Sequence, residues 1–338
     1  MARLVNPMGT KRQTLTGRLR RAMSFYDLCS TVGGSSAEVP KGSSCIGNGA
    51  PLLALTVVPD AEFSSDYFAV VFSVSHTIID GCTYYTLLAM LSAAGTPRAL
   101  NPTRKPEIME TTKLFMGAAE ETFANSGGIM CNVVGALLCG SKPTICNFFV
   151  DKARVAAEKA KPKQHGVDFV STNDVLASSF ANATSARIML LPINFRGRKA
   201  EYTADDAGNY EGALVFGPGD YSDPCKIRKT LQSGPPTFLR GAGGVEVPAP
   251  LPGGCEAMRC ALAMVTNWTF PCFQELAVDG CRHLLHTPHC DVKMVPFDVA
   301  VVYHPRKGEL ATVFFVRSID EKGLKTELPL GEAVTVPT

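Results

Sequence analysis

Neither sign of charge is in excess in this sequence. There are 33 lysines and arginines against 31 aspartates and glutamates, a net charge of +2. That balance argues against nucleic acid or an anionic membrane surface as the main partner. The chain lacks a zinc-finger spacing, an RNA-binding signature, a strongly basic face and any internal repeat. No window approaches the roughly 20 apolar residues needed to cross a bilayer. The nearest, residues 127–140, is short and interrupted by Asn132, and reads as a buried or pocket-lining segment. No secretory apolar region opens the chain. The 12 cysteines are scattered, often inside apolar runs (Cys131, Cys139, Cys260), and read as reduced, mostly buried thiols of a cytoplasmic protein. The first acidic residue is Asp27, preceded by Arg3, Lys11, Arg12, Arg18, Arg20 and Arg21. Such a basic lead fits an organelle transit peptide or a disordered segment.

What is present is enough for two lobes, each with its own core: 338 residues, 46 % of them apolar. The stretch 67–94 organises them. Tyr67 to Ser75 is an almost wholly apolar run rich in Val and Phe, read as a strand buried on both faces. Thr83 to Ala94 has apolar residues at three- and four-residue spacing, read as a helix. Between them lies His76-Thr-Ile-Ile-Asp80-Gly81, an imidazole at a strand end and a carboxylate near a helix start. Strand ends and helix N-termini are where α/β proteins place chemistry. A histidine there can act as a general base. It can equally be a hydrogen-bonded core histidine, with Asp80 an N-cap or turn residue.

Residues 1–50 read as a poorly ordered lead with a short apolar stretch near Ala22–Leu28. Pro51–Pro59 reads as a strand able to pair with Tyr67–Ser75 across the turn 60–66. Residues 108–125 look helical, with Glu120 and Glu121 toward solvent. Asp151–Lys163 is a helix rich in Ala, Lys and Arg. The loop 161–166 after it is the expected boundary between an N-terminal lobe, 51–160, and a C-terminal lobe, 167–325. A helix should start near Ser171. Strands are expected at 187–195 and 212–216, a short helix near 227–231, a run at 261–270 leading into a loop, and a closing hairpin of 295–303 with 310–318.

Four stretches then occur in an order that matters more than any one of them: His76-x-x-x-Asp80-Gly81; Ser171-Thr-Asn-Asp-Val-Leu176; Asn194-Phe-Arg196-Gly-Arg198 with Gly208-Asn209; and Thr266-Asn-Trp268. The series resembles the HXXXD-type CoA-dependent acyltransferases, the BAHD enzymes of plants and fungi. Chloramphenicol acetyltransferase, carnitine acyltransferases and peptide-synthetase condensation domains share that fold more distantly. The resemblance covers roughly residues 50–320. It implies an α/β, two-lobed chloramphenicol acetyltransferase-like fold, with mixed sheets, helices packed on them and an active-site tunnel between the lobes. It also implies a monomer that takes acyl-CoA as co-substrate and a small-molecule alcohol or amine as acceptor, with no metal.

Carried over by position, the resemblance makes His76 the general base and gives Asp80 a structural salt bridge, with Arg196 as partner. Gly81 keeps bulk out of the acyl path, and Thr266 donates to the oxyanion. Trp268 and Asn209 fall on the acceptor side. Ser171, Thr172 and Lys163 fall where the pantetheine arm and phosphates of CoA would lie, with Lys161 an alternative cation. Two features depart from the family. The Asp-Phe-Gly-Trp-Gly motif is absent, with Gln274-Glu-Leu-Ala-Val-Asp-Gly280 in its place. The catalytic histidine of full-length members also sits much later, so a shortened N-terminal lobe is expected. Two other functions compete: a non-catalytic binding protein on a decayed acyltransferase fold, and zinc binding through Cys281, His283, His286, His289 and Cys290. That cluster fits no standard zinc module.

Overall fold

A computed structural model describes residues 23–32, 37–40, 42–45, 47–232, 238, 249–269, 275–289 and 295–335. The basic residues 3–21 lie outside the described residues. The chain divides into two compact units, Met1–Ile78 with Thr335–Thr338, and Ile79–Val334.

The first unit holds helices α1 (Phe25–Val32) and α2 (Gly42–Cys45) and strands β1 (Leu53–Pro59) and β2 (Phe68–Val74). The strands form an antiparallel pair with Thr56 opposite Val71. Asp60 fixes their turn: its Oδ1 accepts the backbone N–H groups of Glu62 and Phe63 at 2.9 Å, an Asx-type arrangement. Val32 and Val58 form a small core with Leu28, Ala69 and Val71 packed on it. β2 is not buried on both faces, as the apolar run suggested. Among the described residues this sheet has two strands; β2 is half-buried, and Leu55 and Val57 of β1 are 45 % and 59 % exposed.

The second unit opens with α3 (Gly81–Met90), α4 (Ile108–Met116), α5 (Ala118–Ala124) and α6 (Gly127–Cys139). Then follow β3 (Thr144–Val150), α7 (Lys152–Ala160), α8 (Thr172–Ala183), β4 (Ile188–Asn194) and β5 (Glu211–Phe216). The chain closes with α9 (Pro218–Tyr221), α10 (Pro224–Gln232), α11 (Gly254–Ala257), β6 (Leu262–Asn267), β7 (Asp298–Tyr303), β8 (Ala311–Val316), α12 (Glu321–Glu327) and β9 (Leu330–Ala333). One seven-stranded mixed sheet runs in the order β5-β4-β6-β7-β8-β3-β9. The β4–β6 and β6–β7 pairs are parallel and the others antiparallel. Every residue of β7 and β8 is buried, as expected of apolar strands in mid-sheet. α8 packs against β6, α7, α9, α10 and α12, and its Phe180 lies 5.6 Å from the ring of Phe314. The loop 161–166, expected to divide two lobes, joins α7 to α8 inside this unit.

Three expectations need correction. The helix foreseen over 108–125 breaks at Gly117, whose φ of 101° favours glycine. Glu120 folds back against that glycine and is buried, not on the solvent side. Residues 127–139 are not buried: α6 has no buried residue. Asn132 anchors one side by donating to the carbonyls of Ala257 and Cys260 at 3.0 Å, while Met130 and Leu138 stand 61 % and 79 % exposed. By length and composition alone, the helical stretch Ala118–Cys139 is long and apolar enough to cross a membrane. Finally, the thiols are free but not mostly buried. Among the described cysteines Cys146, Cys225 and Cys260 are buried, whereas Cys131, Cys139, Cys255 and Cys281 are exposed.

Candidate active site

Asp80 is the N-cap of α3. Its Oδ1 accepts the backbone N–H of Thr83 at 2.9 Å and the Thr83 hydroxyl at 3.1 Å, which satisfies donors that a helix start leaves open. Its Oδ2 accepts from Arg196 Nη1 at 2.6 Å and from the backbone N–H of Tyr210 at 2.9 Å. Both side chains of the pair are almost wholly out of solvent, at 2 % and 4 % exposure. The structure thus brings together two residues that lie 116 positions apart.

Arg196 is fully occupied. Nε donates to the Asp206 carbonyl at 3.0 Å, and Nη1 also donates to Asn194 Oδ1 at 3.1 Å. Nη2 donates to the Thr83 hydroxyl and to the carbonyls of Asp206 and Gly208, at 2.9 to 3.0 Å. Asn194 explains the two-residue spacing of the Asn-x-Arg stretch, since its Oδ1 also accepts the backbone N–H of Arg196 at 3.0 Å. A guanidinium held on three sides has no freedom left to reach a substrate. Gly208 gives close room to its neighbours: a Cβ there would lie 2.8 Å from the buried Tyr210 ring and 2.7 Å from the end of the Arg104 side chain, so these would have to shift. Sequence reasoning passed over Thr83 and Tyr210. Thr83 is three residues past its cap, a spacing that could have revealed it; Tyr210 acts through its backbone and carries no such signal.

Asp206 buttresses the same loop. It accepts from Lys105 Nζ at 2.6 Å, the Thr203 N–H at 2.7 Å, the Thr203 hydroxyl at 3.0 Å and Asn101 Nδ2 at 2.9 Å. Burial by itself would raise its pKa, but these donors outweigh it and bring it down to about 2. In the unfolded chain an aspartate titrates near pH 4. The stabilisation from Asp206 is therefore complete above about pH 4 and is lost as pH falls through about 2. Asp206→Asn is expected to flatten the acid limb of an unfolding-stability profile in that window. An unchanged acid limb would show that this carboxylate contributes nothing to it.

His76 is exposed in the turn Ser75–Ile78 that follows β2, closed by the Ile78 N–H donating to the Ser75 carbonyl at 3.1 Å. Gly81 is the first residue of α3. Thr266 lies in β6, and its hydroxyl accepts the indole N–H of Trp268 at 3.2 Å. Asn209 is half-buried between Gly208 and Tyr210. Ser171 caps α8 in a reciprocal box with Asp174: its hydroxyl accepts the Asp174 N–H at 3.1 Å, and Asp174 accepts the Ser171 N–H at 2.6 Å. Asp174 also pairs with Arg228 at 2.6 Å. Lys159 Nζ donates to the Thr172 hydroxyl at 2.8 Å, and Lys163 Nζ to the Lys161 carbonyl at 2.8 Å. Ser171→Ala is expected to lower stability by about 1 kcal/mol, the usual worth of a lost cap. A denaturant midpoint that does not move would remove the cap from this account.

The histidine-rich stretch near 283 is used differently from the zinc reading. His286 Nε2 lies 2.9 Å from the Tyr85 hydroxyl, and His283 Nδ1 lies 3.6 Å from Glu275. Burial lowers the pKa of both histidines, that of His286 to about 3. Cys290 lies outside the described residues. Among the described residues no group of three His, Cys, Asp or Glu side chains is placed to hold a metal ion.

An α/β unit built on one mixed sheet, with a capped aspartate locked to a distant arginine at the start of a helix, has a chloramphenicol acetyltransferase-like fold. Comparison with solved structures shows that fold. Vinorine synthase, a BAHD enzyme, superposes with a TM-score of 0.51 at 14 % identity, over 84 % of this chain and 65 % of that one. Fusarium sporotrichioides TRI101, solved with coenzyme A and T-2, gives 0.45 at 12 % identity, over 82 % and 69 %. The first condensation domain of the CDA synthetase gives 0.41 at 14 %, over 82 % and 64 %. The chain thus spans about two thirds of the length of these proteins. No family model and no curated protein matches it.

Proposed function

We propose that this chain is a CoA-dependent acyltransferase that forms an ester or an amide on a small-molecule alcohol or amine. The observation that carries the reading is the buried Asp80–Arg196 pair. It joins the first and third of the four ordered stretches, and it occupies Arg196 so completely that a structural role for both residues follows. His76, four residues before Asp80, is the general base in this reading. It takes the proton from the acceptor hydroxyl or amine as that atom attacks the thioester carbonyl, then returns it to the departing CoA thiolate. The acceptor is itself the nucleophile, so no acyl-enzyme forms. Thr266 is the oxyanion donor: its oxygen already accepts from Trp268, which leaves its own proton to give. Gly81 keeps the acyl path narrow but open, and Trp268 and Asn209 serve the acceptor. Ser171, Thr172 and Lys163 serve CoA. Lys159 reaches the start of α8 through the Thr172 hydroxyl, where helix N–H groups and a cation together suit a phosphate.

The test is CoA release from a panel of acyl-CoAs, each with pooled alcohols and then pooled amines. Acceptor-dependent release by folded protein supports the reading, and the pool that responds separates O- from N-transfer. A folded protein silent across a broad panel would favour the non-catalytic binding protein instead.

A further inference from the structure

A second network lies in the same unit and is not used by the Asp80–Arg196 pair. Tyr85 stands on α3 five residues after Asp80 and is 1 % exposed. Its hydroxyl meets His286 Nε2 at 2.9 Å, and its ring meets Trp268 edge-on at 6.3 Å between centroids. The His286 ring sits between those of Tyr85, at 5.6 Å, and Tyr303, at 6.2 Å. Tyr303 exchanges hydrogen bonds with Asn147 of β3, accepting from Nδ2 at 2.8 Å and donating to Oδ1 at 3.0 Å. At the other end, Trp268 donates its indole N–H to Thr266. A continuous run of side chains thus leads from mid-sheet to the Thr266 hydroxyl.

The order of donors gives this run a direction. Thr266 has one proton and two lone pairs. The indole N–H takes up one lone pair, so the hydroxyl proton must point elsewhere, and where it points depends on where the Trp268 ring lies. The edge of Tyr85 bounds that ring, and the contact with His286 fixes the polar end of Tyr85. His286 is kept neutral by its burial, so this contact does not change over an ordinary assay range. We propose that Tyr85 and His286 are positioning residues for acyl transfer, which hold Trp268 and, through it, the direction of the Thr266 hydroxyl. The catalytic half of this proposal rests on the acyltransferase reading.

Trp268 is the sole tryptophan of the chain, so intrinsic fluorescence reports this network separately from activity. Tyr85→Phe keeps the ring and removes the hydroxyl. The variant is expected to shift the tryptophan emission maximum and to raise its quenching by acrylamide. The kcat is expected to fall about 10- to 100-fold, the usual penalty of a misplaced group, with KM for acyl-CoA held within about twofold. His286→Gln should reproduce both effects and carries the test if Tyr85→Phe does not fold. The decisive comparison is Tyr85→Phe combined with Thr266→Val. If Tyr85 acts through Thr266, the double variant is no slower than Thr266→Val alone, whereas independent losses would multiply. Multiplying losses, or wild-type emission in a folded Tyr85→Phe, would overturn the proposal. A wild type that transfers no acyl group in any assay would defeat the acyltransferase reading and the catalytic half together, and the emission measurement would still decide the network.

Discussion

His76→Ala is expected to abolish acceptor-dependent CoA release, slowing it by about 10²- to 10⁴-fold, the span general bases contribute. The same substitution should leave the fold in place. His76 is exposed in a turn, and surface truncations usually change stability by about 0.5 kcal/mol or less. That separation makes the variant informative: a loss of rate with an unchanged circular dichroism spectrum and denaturant midpoint locates the defect in chemistry. KM for acyl-CoA should hardly move, because a base acting on the acceptor's proton contributes in the transition state and not to thioester binding. A variant that keeps more than about a tenth of wild-type turnover would remove His76 from the base's role. His76→Gln extends the test, since glutamine keeps hydrogen-bonding capacity but cannot take up the proton.

The elements along this chain were largely legible because they announce themselves locally. The β1–β2 hairpin follows from two β-branched runs flanking the Asp60 turn, and the start of α8 from Ser171 and Asp174 three residues apart. The partnership of Asp80 with Arg196 was legible only through the order of the four stretches, because no local rule links residues 116 positions apart. What could not be read is what covers an apolar segment. β2 and α6 are both uncharged, and composition is silent on whether a second strand or helix lies over them; among the described residues β2 has a strand neighbour on one edge, and α6 leaves apolar side chains exposed. The histidines near 283 offered a competing reading on closeness in sequence alone. Their closeness in sequence suggested a shared ligand, yet the partner of His286 is Tyr85, 201 residues earlier. Once folded, its ring is spent on a hydroxyl and two aromatic faces.

Arg196→Met should be the most destabilising single change in this site, at about 3–5 kcal/mol, because it leaves the Asp80 carboxylate buried without its counter-charge. The side chain of Asp80 is only 2 % exposed, so water cannot replace the guanidinium cheaply. The loss reaches beyond the pair: Nη2 also ties down the carbonyls of Asp206 and Gly208 and the Thr83 hydroxyl. With the methionine in place these acceptors lose a donor in a buried setting. Asp80→Asn should cost less, since an amide oxygen can still accept the Thr83 N–H and preserve the cap of α3. The two changes together are therefore expected to be less harmful than their sum. Neutralising Asp80 removes the uncompensated charge that makes Arg196→Met severe, which gives a coupling of about 0.5–3 kcal/mol in a double-mutant cycle. Urea unfolding of the four proteins measures it directly. Strictly additive losses would mean that the buried pair is not what holds the chain after His76 to the loop at Gly208, and the structural role given to Asp80 and Arg196 would fall with it.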